Sequence, residues 1–362
     1  MPFAKNIPGI LFATIVALVA IEMSSRYPAL GKNGISILTL AILIGIAIGN
    51  MPIYKFLISY CGAGINFSKQ KVLRLGIILY GFRLTFQDIG DVGISGIIID
   101  AFMLTSTFIL SVYLGMRYFK LDRDTSVLIG AGNSICGAAA ILATEPILKA
   151  SNDKVAVAIS TIVIFGTVSI FIYPIIYSYV LINYVDYLSP ERFGIYIGST
   201  IHEVAQVVAT ADAIGEDVTN TAVIAKMVRV IMLAPFLIAV SAFISFTDKK
   251  SHQYTDDHKA GQTTKNSISK FFPVFAIFFL VAIGINSTGY ISHSVREGLI
   301  HLDNFLLALA MGALGLTTHI SAIAKAGIKP IKLAAVLFVW LVVGGALANI
   351  VASYLFLKTD FQ

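Results

Sequence analysis

Apolar residues run along this chain in long blocks, and polar residues gather between the blocks instead of alternating with them. A bilayer crossing needs about 20 mostly apolar residues, and the chain offers about eleven such runs. They cover 8–24, 33–50, 72–89, 93–116, 124–149, 154–182, 191–212, 219–246, 270–289, 300–324 and 331–357. A basic, Gly-containing stretch, KFLISYCGAGINFSKQKVLR, precedes the third run, and a hydrophilic segment, TDKKSHQYTDDHKAGQTTKNSISK, follows the eighth. The pattern predicts an all-α polytopic membrane protein of about 11 transmembrane helices. Helices one to eight fall within 1–246, a cytoplasmic linker covers 247–269, and helices nine to eleven occupy 270–362 of the same membrane body. The amino-terminal run lacks a small-x-small cleavage pattern and is followed by further spans, so it reads as a retained first helix.

Charge gives the orientation. Only 13% of the 362 residues are charged, against roughly a quarter in a soluble domain. The net charge of +6 comes from Lys and Arg at span ends. Lys55, Lys69, Lys71 and Arg74 flank one loop, Arg117, Lys120 and Arg123 fill a second, and Lys249, Lys250, Lys259 and Lys265 lie in the linker. Lys325, Lys329 and Lys332 separate the last two spans. Counting spans puts all four groups on the side of the N-terminus, which the positive-inside rule makes cytoplasmic. Nucleic-acid binding has no support from a basic helix, zinc spacing or aromatic stacking motif. Cys61 and Cys136 are too far apart in sequence to suggest a disulfide framework.

Two spans depart from the Leu, Ile, Val and Phe of the rest. The fifth contains GAGNSICGAAAILATEPILK and the seventh GIYIGSTIHEVAQVVATADA. An offset of 66 residues aligns 132–144 with 198–210, with five identities in thirteen positions, which points to an internal repeat. Gly weakens a helix, and backbone groups freed at a break cannot face lipid, so the reading is a pair of discontinuous helices. A half-helix N-terminus offers free N–H groups and suits an anion; close helix packing by small residues is the plainer alternative. Spans five and seven should run the same way, so either one segment is re-entrant, or the repeat is parallel, or part of the match is chance. A second echo pairs GFRLTF (81–86) with ALGLTTH (313–319).

Ionisable residues at bilayer depth are costly and are site candidates by default. Arg83, Asp100, His202, Glu203, Lys226 and Arg229 lie inside spans; Glu145 sits near a span end, Glu22 and Lys325 read as interfacial, and His319 follows two threonines. Asp100 could pair with Arg83. Lys226 and Arg229 could instead snorkel to the surface, and Glu203 could pair with one of them. The sequence has no nucleotide-binding fingerprint and no HExxH motif, and adjacent His202 and Glu203 point about 100° apart on a helix, poor for holding a metal. Cys136, His202 and Glu203 could form a membrane-embedded thiol enzyme. A secondary transporter, rather than an enzyme, fits the breaks better.

The runs GAGNSICGAAAILATEPILKA, AISTIVIFGTVSIFIYPIIY and GIYIGSTIHEVAQVVATADAIG resemble the YeiH-type family of bacterial inner-membrane proteins, a sulfate-exporter family by name. The resemblance covers the whole chain and is most specific around Asn133, Cys136 and Gly137 and around Ser199, Thr200, His202, Glu203, Ala205 and Gln206. The family is grouped with bile-acid-symporter and arsenite-exporter types. That likeness implies a core of crossed, broken helices moving against a panel of helices, with spans three to six in the core, and a multi-pass location in the bacterial inner membrane.

The expected function is secondary transport of a small anion, sulfate or a sulfonate among the candidates, coupled to protons. Asn133, Ser134, Cys136, Gly137, Ser199, Thr200 and Gln206 would bind substrate through the breaks, Arg83, Lys226 and Arg229 would supply positive potential, and His202 and Glu203 would carry the proton. The alternative is a sodium- or proton-coupled cation antiporter using Asp100 and Glu203. The expected partners are a small anion, the lipid bilayer and protons or sodium, without cofactor, metal or nucleic acid; a homo-oligomer is compatible with the sequence.

Overall fold

The computed structural model describes residues 4–27, 36–52, 54–184, 189–249, 274–319 and 327–356. The linker lysines 250, 259 and 265, and Lys325, lie outside the described residues. All regular structure among the described residues is helical. Six helices are long and apolar enough to cross a membrane, and three shorter ones are as apolar.

In chain order the elements are α1 (Ile7–Arg26), α2 (Ile37–Gly49) and α3, which runs from Tyr54–Phe67 through π-helical Ser68–Val72 to Leu73–Tyr80. Next come α4 (Phe86–Tyr113, extended by Leu114–Tyr118), α5 (Arg123–Ser134), α6 (Ala138–Leu148) and α7 (Asn152–Tyr184). Then follow α8 (Pro190–Thr200), α9 (Val204–Asp212), α10 (Glu216–Ile231) and α11 (Leu233–Lys249). The last are α12 (Val274–Ser287), α13 (His293–Leu316) and α14, which runs from Ile328–Val339 through Trp340–Gly344 to Gly345–Phe356.

The boundary expected at residue 72 is corrected: the basic stretch before it is itself helical, and α3 starts at Tyr54 and ends before the turn at Leu84 and Thr85. Thr85 then caps α4 with a reciprocal Asp88 capping box, which stops any helix from running on through 89.

The helices fall into two packed groups. In one, α13 lies along α2 and α3, and α1 and α12 pack on α3. Small residues allow the close approach; a Cβ on Gly45 would fall 2.5 Å from the Gly312 carbonyl oxygen. The other group contains α4 to α11 and α14. Among the described residues the two groups touch only lightly. The third span therefore packs in the first group, against α1, α12 and α13, and not with the broken helices as the resemblance implied.

Both interrupted segments fold back on themselves. Lys154, at the start of α7, lies 2.6 Å from Asp122 and 2.8 Å from Asp124, at the start of α5. Farther along, Gly132 of α5 packs against Ile162 of α7 and Ile141 of α6. So α5 and α7 run the same way, and α6 returns toward the point where α5 began. The second segment repeats the arrangement: Gly194 packs on Val218 and Ala222, and Gly198 on Ala222 and Lys226. Thus α8 and α10 are parallel, and α9 must return between them. The limbs have 12 and 11 residues in the first hairpin and 11 and 9 in the second. At 1.5 Å per residue each limb reaches about half of the ~30 Å hydrocarbon core. The 33-residue α7 joins the base of the first hairpin to the base of the second, a rise of about 50 Å. The hairpins thus approach from opposite ends of α7 and meet tip to tip. This resolves the parity conflict in the sequence: both repeat units turn back, so the two tips point at one another.

Candidate functional site at the hairpin tips

Each tip presents two kinds of helix end. At the first, α5 stops at Ser134 and α6 begins after Gly137, whose φ of 66° is a region that glycine enters without a Cβ penalty. At the second, α8 stops at Thr200 and α9 begins after Glu203. Helix C-termini leave carbonyls unpaired and helix N-termini leave N–H groups unpaired. The structure sorts buried charge accordingly.

The carbonyl ends meet α10. Lys226 donates to the carbonyls of Ile135 at 2.7 Å and Ile201 at 2.5 Å. Arg229 donates Nε to the Ser134 carbonyl at 2.7 Å, and its other nitrogens reach the Ser199 and Asn133 carbonyls. Both side chains have 0% exposure, so neither snorkels to a surface. Each draws carbonyls from both tips, and together they clasp the hairpins. Favourable placement of cations at helix C-termini supplies the reason. Asp100 of α4 is also fully buried, and neither of its carboxylate oxygens has a hydrogen-bond partner. Its nearest countercharges are Arg229 and Lys226.

The N–H ends meet Glu203. The Ala138 N–H, first in α6, donates to Glu203 Oε1 at 3.3 Å. Glu203 and Gln206 form a capping box at the start of α9, in which the Gln206 side-chain oxygen accepts the Glu203 N–H at 3.1 Å. The Glu203 carboxylate of one hairpin therefore sits on the first N–H of the other hairpin's return limb, while the start of its own limb is closed by the Gln206 side chain. Room for it depends on Gly137, where a Cβ would fall 2.5 Å from Glu203 Cγ. Gly166 of α7 similarly leaves space for the Gln206 amide. Glu203 pairs with backbone here, and not with a cation as the sequence allowed. Cys136 is buried in the turn just before the α6 start.

His202 ties the tips together, its Nε2 2.8 Å from Asn133 Oδ1. The Asn133 amide nitrogen donates to Ile129, so its oxygen is the acceptor and Nε2 carries the proton. Nδ1 is left buried without a partner.

The residues expected at the site separate into two sets. Asn133, Ser134, Cys136, Gly137, Ser199, Thr200, His202, Glu203, Gln206, Lys226 and Arg229 converge at the tips. Ser134 and Ser199 bond back to their own helices, and Thr200 bonds to Tyr196 and receives Tyr173 at 2.8 Å. These end residues contribute carbonyls, and the available N–H groups belong to the following limbs. Arg83 lies elsewhere: it pairs at 2.9 Å with the fully buried Asp303 of α13, donates to Asn304 and sits over the Tyr80 ring. Its partner is Asp303 and not Asp100. It lines a cavity of about 430 Å³ with Tyr80, Asp212, Glu216, Thr219 and Asn304, between the two helix groups. His319 stands 3.1 Å from the Gly49 carbonyl and near the Tyr54 ring, joining α2 to the end of α13. Glu22 is exposed and paired with Arg26, and Glu145 is part-buried on α6. A larger apolar groove of about 980 Å³ between α4 and α11 lies away from the tips. Ala138, Gly166 and Asp303 were not singled out in the sequence, where an isolated Ala, Gly or helix-end Asp carries no distinguishing signal.

A multi-pass membrane protein whose buried charges gather where two interrupted helices meet is the class that this fold and site define. The chain belongs to the family described as conserved hypothetical protein 698, whose model matches residues 8–334. It is 53% identical over 345 residues to the UPF0324 inner membrane protein YeiH of Escherichia coli K12, covering 95% of this chain and 94% of that one. A UPF0324 membrane protein of Photorhabdus laumondii is 50% identical over 358 residues, covering 98% and 96%. The YeiH protein of Salmonella typhimurium is 52% identical over 344 residues, covering 95% and 93%.

Proposed function

We propose that the chain is a secondary active transporter of a small anion, sulfate or a sulfonate being the leading candidates, with proton movement coupled to transport. The observation that carries the reading is the seating of a carboxylate from one hairpin tip on the first N–H of the other hairpin's return limb. An N–H-lined niche of that kind favours negative charge. Paired half-membrane segments are also where secondary transporters bind their cargo. In this reading nine helical segments among the described residues cross the bilayer, α1, α2, α3, α4, α7, α10 with α11, α12, α13 and α14, and two hairpins enter from opposite faces. The N-terminus is cytoplasmic, in a bacterial inner membrane. Lys149 and Lys154 then join Arg117, Lys120 and Arg123 on the cytoplasmic side, which strengthens the positive-inside pattern. In this reading no catalytic step is required, and Cys136 has a structural place at the tip.

Purified protein in liposomes loaded with sulfate supplies the test. Labelled sulfate should exchange across the membrane, and an imposed pH gradient should change its accumulation. Absence of flux for sulfate and for a set of small sulfonates would contradict anion transport; flux indifferent to the gradient would remove the coupling.

Asp100 supports a second reading, because a buried carboxylate with two unpartnered oxygens can also hold a cation. Asp100→Asn and Glu203→Gln would both abolish transport in a sodium- or proton-coupled cation antiporter. An anion carrier should still bind sulfate in Glu203→Gln, with the pH dependence of binding lost.

A further inference from the structure

The niche between the half-helix starts is already filled, and what fills it belongs to the chain. Glu203 Oε1 takes the Ala138 N–H, and Glu203 itself is the residue from which α9 starts, its N–H donating to the Gln206 side chain. An external anion approaching these N–H groups would meet a carboxylate seated on them. Glu203 is part-exposed, and so is Ala138, with Ala139 more open still. Beside it His202, 1% exposed, keeps Nδ1 without a partner, a polar atom for an occupant larger than the present carboxylate. The charged and titratable groups around Glu203 are few. Cys136 faces it from the first tip, Lys226 from α10 and His202 from its own tip. From α7 the neighbours are Ile162 and Gly166, and from α9 Gln206. Lys226 is committed to two carbonyls. The balance of charge in the niche therefore turns on one carboxylate.

We propose that Glu203 is a tethered stand-in for the transported anion: its carboxylate and the cargo compete for the same N–H groups. The cargo binds when Glu203 has taken a proton from water and left the niche. This rests on the anion-transport reading and specifies its coupling. Proton and anion then enter the site together, one for one, and release of the anion is completed by return of the ionised side chain. Neither the niche nor the displacement requires a residue beyond those named.

Thermal stability of the purified full-length protein gives the test, with sodium sulfate and sodium formate as probes and sodium chloride at matched ionic strength as reference. Obligate uptake of one proton per anion makes apparent sulfate affinity rise roughly tenfold for each unit fall in pH while Glu203 is ionised. In Glu203→Gln that slope should vanish, because no charge has to be removed. In Glu203→Ala the niche is vacant, and formate, a free carboxylate, should stabilise the variant saturably, with no matching effect on the wild type in alkaline buffer. A Glu203→Gln protein that keeps the wild-type slope overturns the proposal, as does a folded Glu203→Ala protein that responds to formate no more than to chloride. If Glu203→Ala fails to fold, the Glu203→Gln slope decides. Formate rescue without any sulfate response would retain the competing carboxylate and discard sulfate as cargo. Sulfate flux in liposomes with an unchanged slope would retain transport and discard the competition. A protein that responds to neither probe in any form overturns both.

Discussion

Lys226 and Arg229 show how a buried cation can be structural and central at once. Their donors are directed at carbonyls of both hairpin tips, so removing either leaves buried helix ends without these partners. Breaking a buried charged cluster from one side costs about 3–5 kcal/mol. Lys226→Ala and Arg229→Ala should therefore each lower the melting temperature of the purified protein sharply, and a mild effect on either would contradict the clasp. Cys136 should behave oppositely. Its side chain is buried in the turn between α5 and α6, where unpaired backbone groups can satisfy a hydroxyl. Cys136→Ser is expected to keep both stability and transport, whereas a thiol enzyme would lose its activity. Some of this was legible in residue type alone: charges inside apolar runs mark a site. Which backbone groups they serve was not, since sequence records the charge but not the direction of the carbonyls beneath it.

At the scale of elements, the hairpins depend on small residues at their backs. Gly166 lies in the middle of α7, where alanine would ordinarily favour the helix by about 1 kcal/mol. Here a Cβ would strike the Gln206 amide, which caps the α9 start. Gly166→Ala is thus expected to destabilise the protein against its propensity, and a stabilised variant in a thermal melt would show that the α7–α9 contact is dispensable. The base of the first hairpin offers a pH-dependent counterpart. Burial pushes the Asp122 carboxyl up, but hydrogen bonds from Lys154 and Thr125 outweigh it and hold it below the usual range. A lowered value means that the pair contributes stability above the ordinary carboxylate range and loses it as pH falls through the lowered value. Asp122 is half exposed, so the contribution is small, under about 1 kcal/mol. Asp122→Asn should narrow the stability difference between neutral and acid buffer, and an unchanged difference would show the pair to be inert. The breaks themselves could be read from GNSICG and GSTIHE, because small polar residues in mid-run weaken a helix. The reversal of direction could not, since hydropathy is the same for a limb that crosses and for one that turns back. One clue was available: Lys149 and Lys154 fit the positive side only if the fifth segment returns.

For the whole molecule, the division into two lightly touching groups places the tips in one body and Arg83 with Asp303 in the other. Tyr80 of α3 donates to Asn220 of α10 at 2.7 Å, one of the few polar links between them. The long spans and the membrane location were plain in the sequence, because runs of apolar residues and sparse charge leave no alternative. The assignment of α3 to its group was not, since it depends on which glycine-lined faces meet. Everything said about the site depends on the two hairpins entering from opposite faces. Single cysteines at Ser151, after α6, and at Gly215, after α9, test that arrangement in whole cells with a membrane-impermeant thiol reagent, with Lys120→Cys as the cytoplasmic reference. Two re-entrant hairpins predict that Ser151→Cys is protected with Lys120→Cys while Gly215→Cys is labelled from outside. Labelling of Ser151→Cys from outside would mean that the fifth segment crosses the membrane, and would contradict the tip-to-tip site.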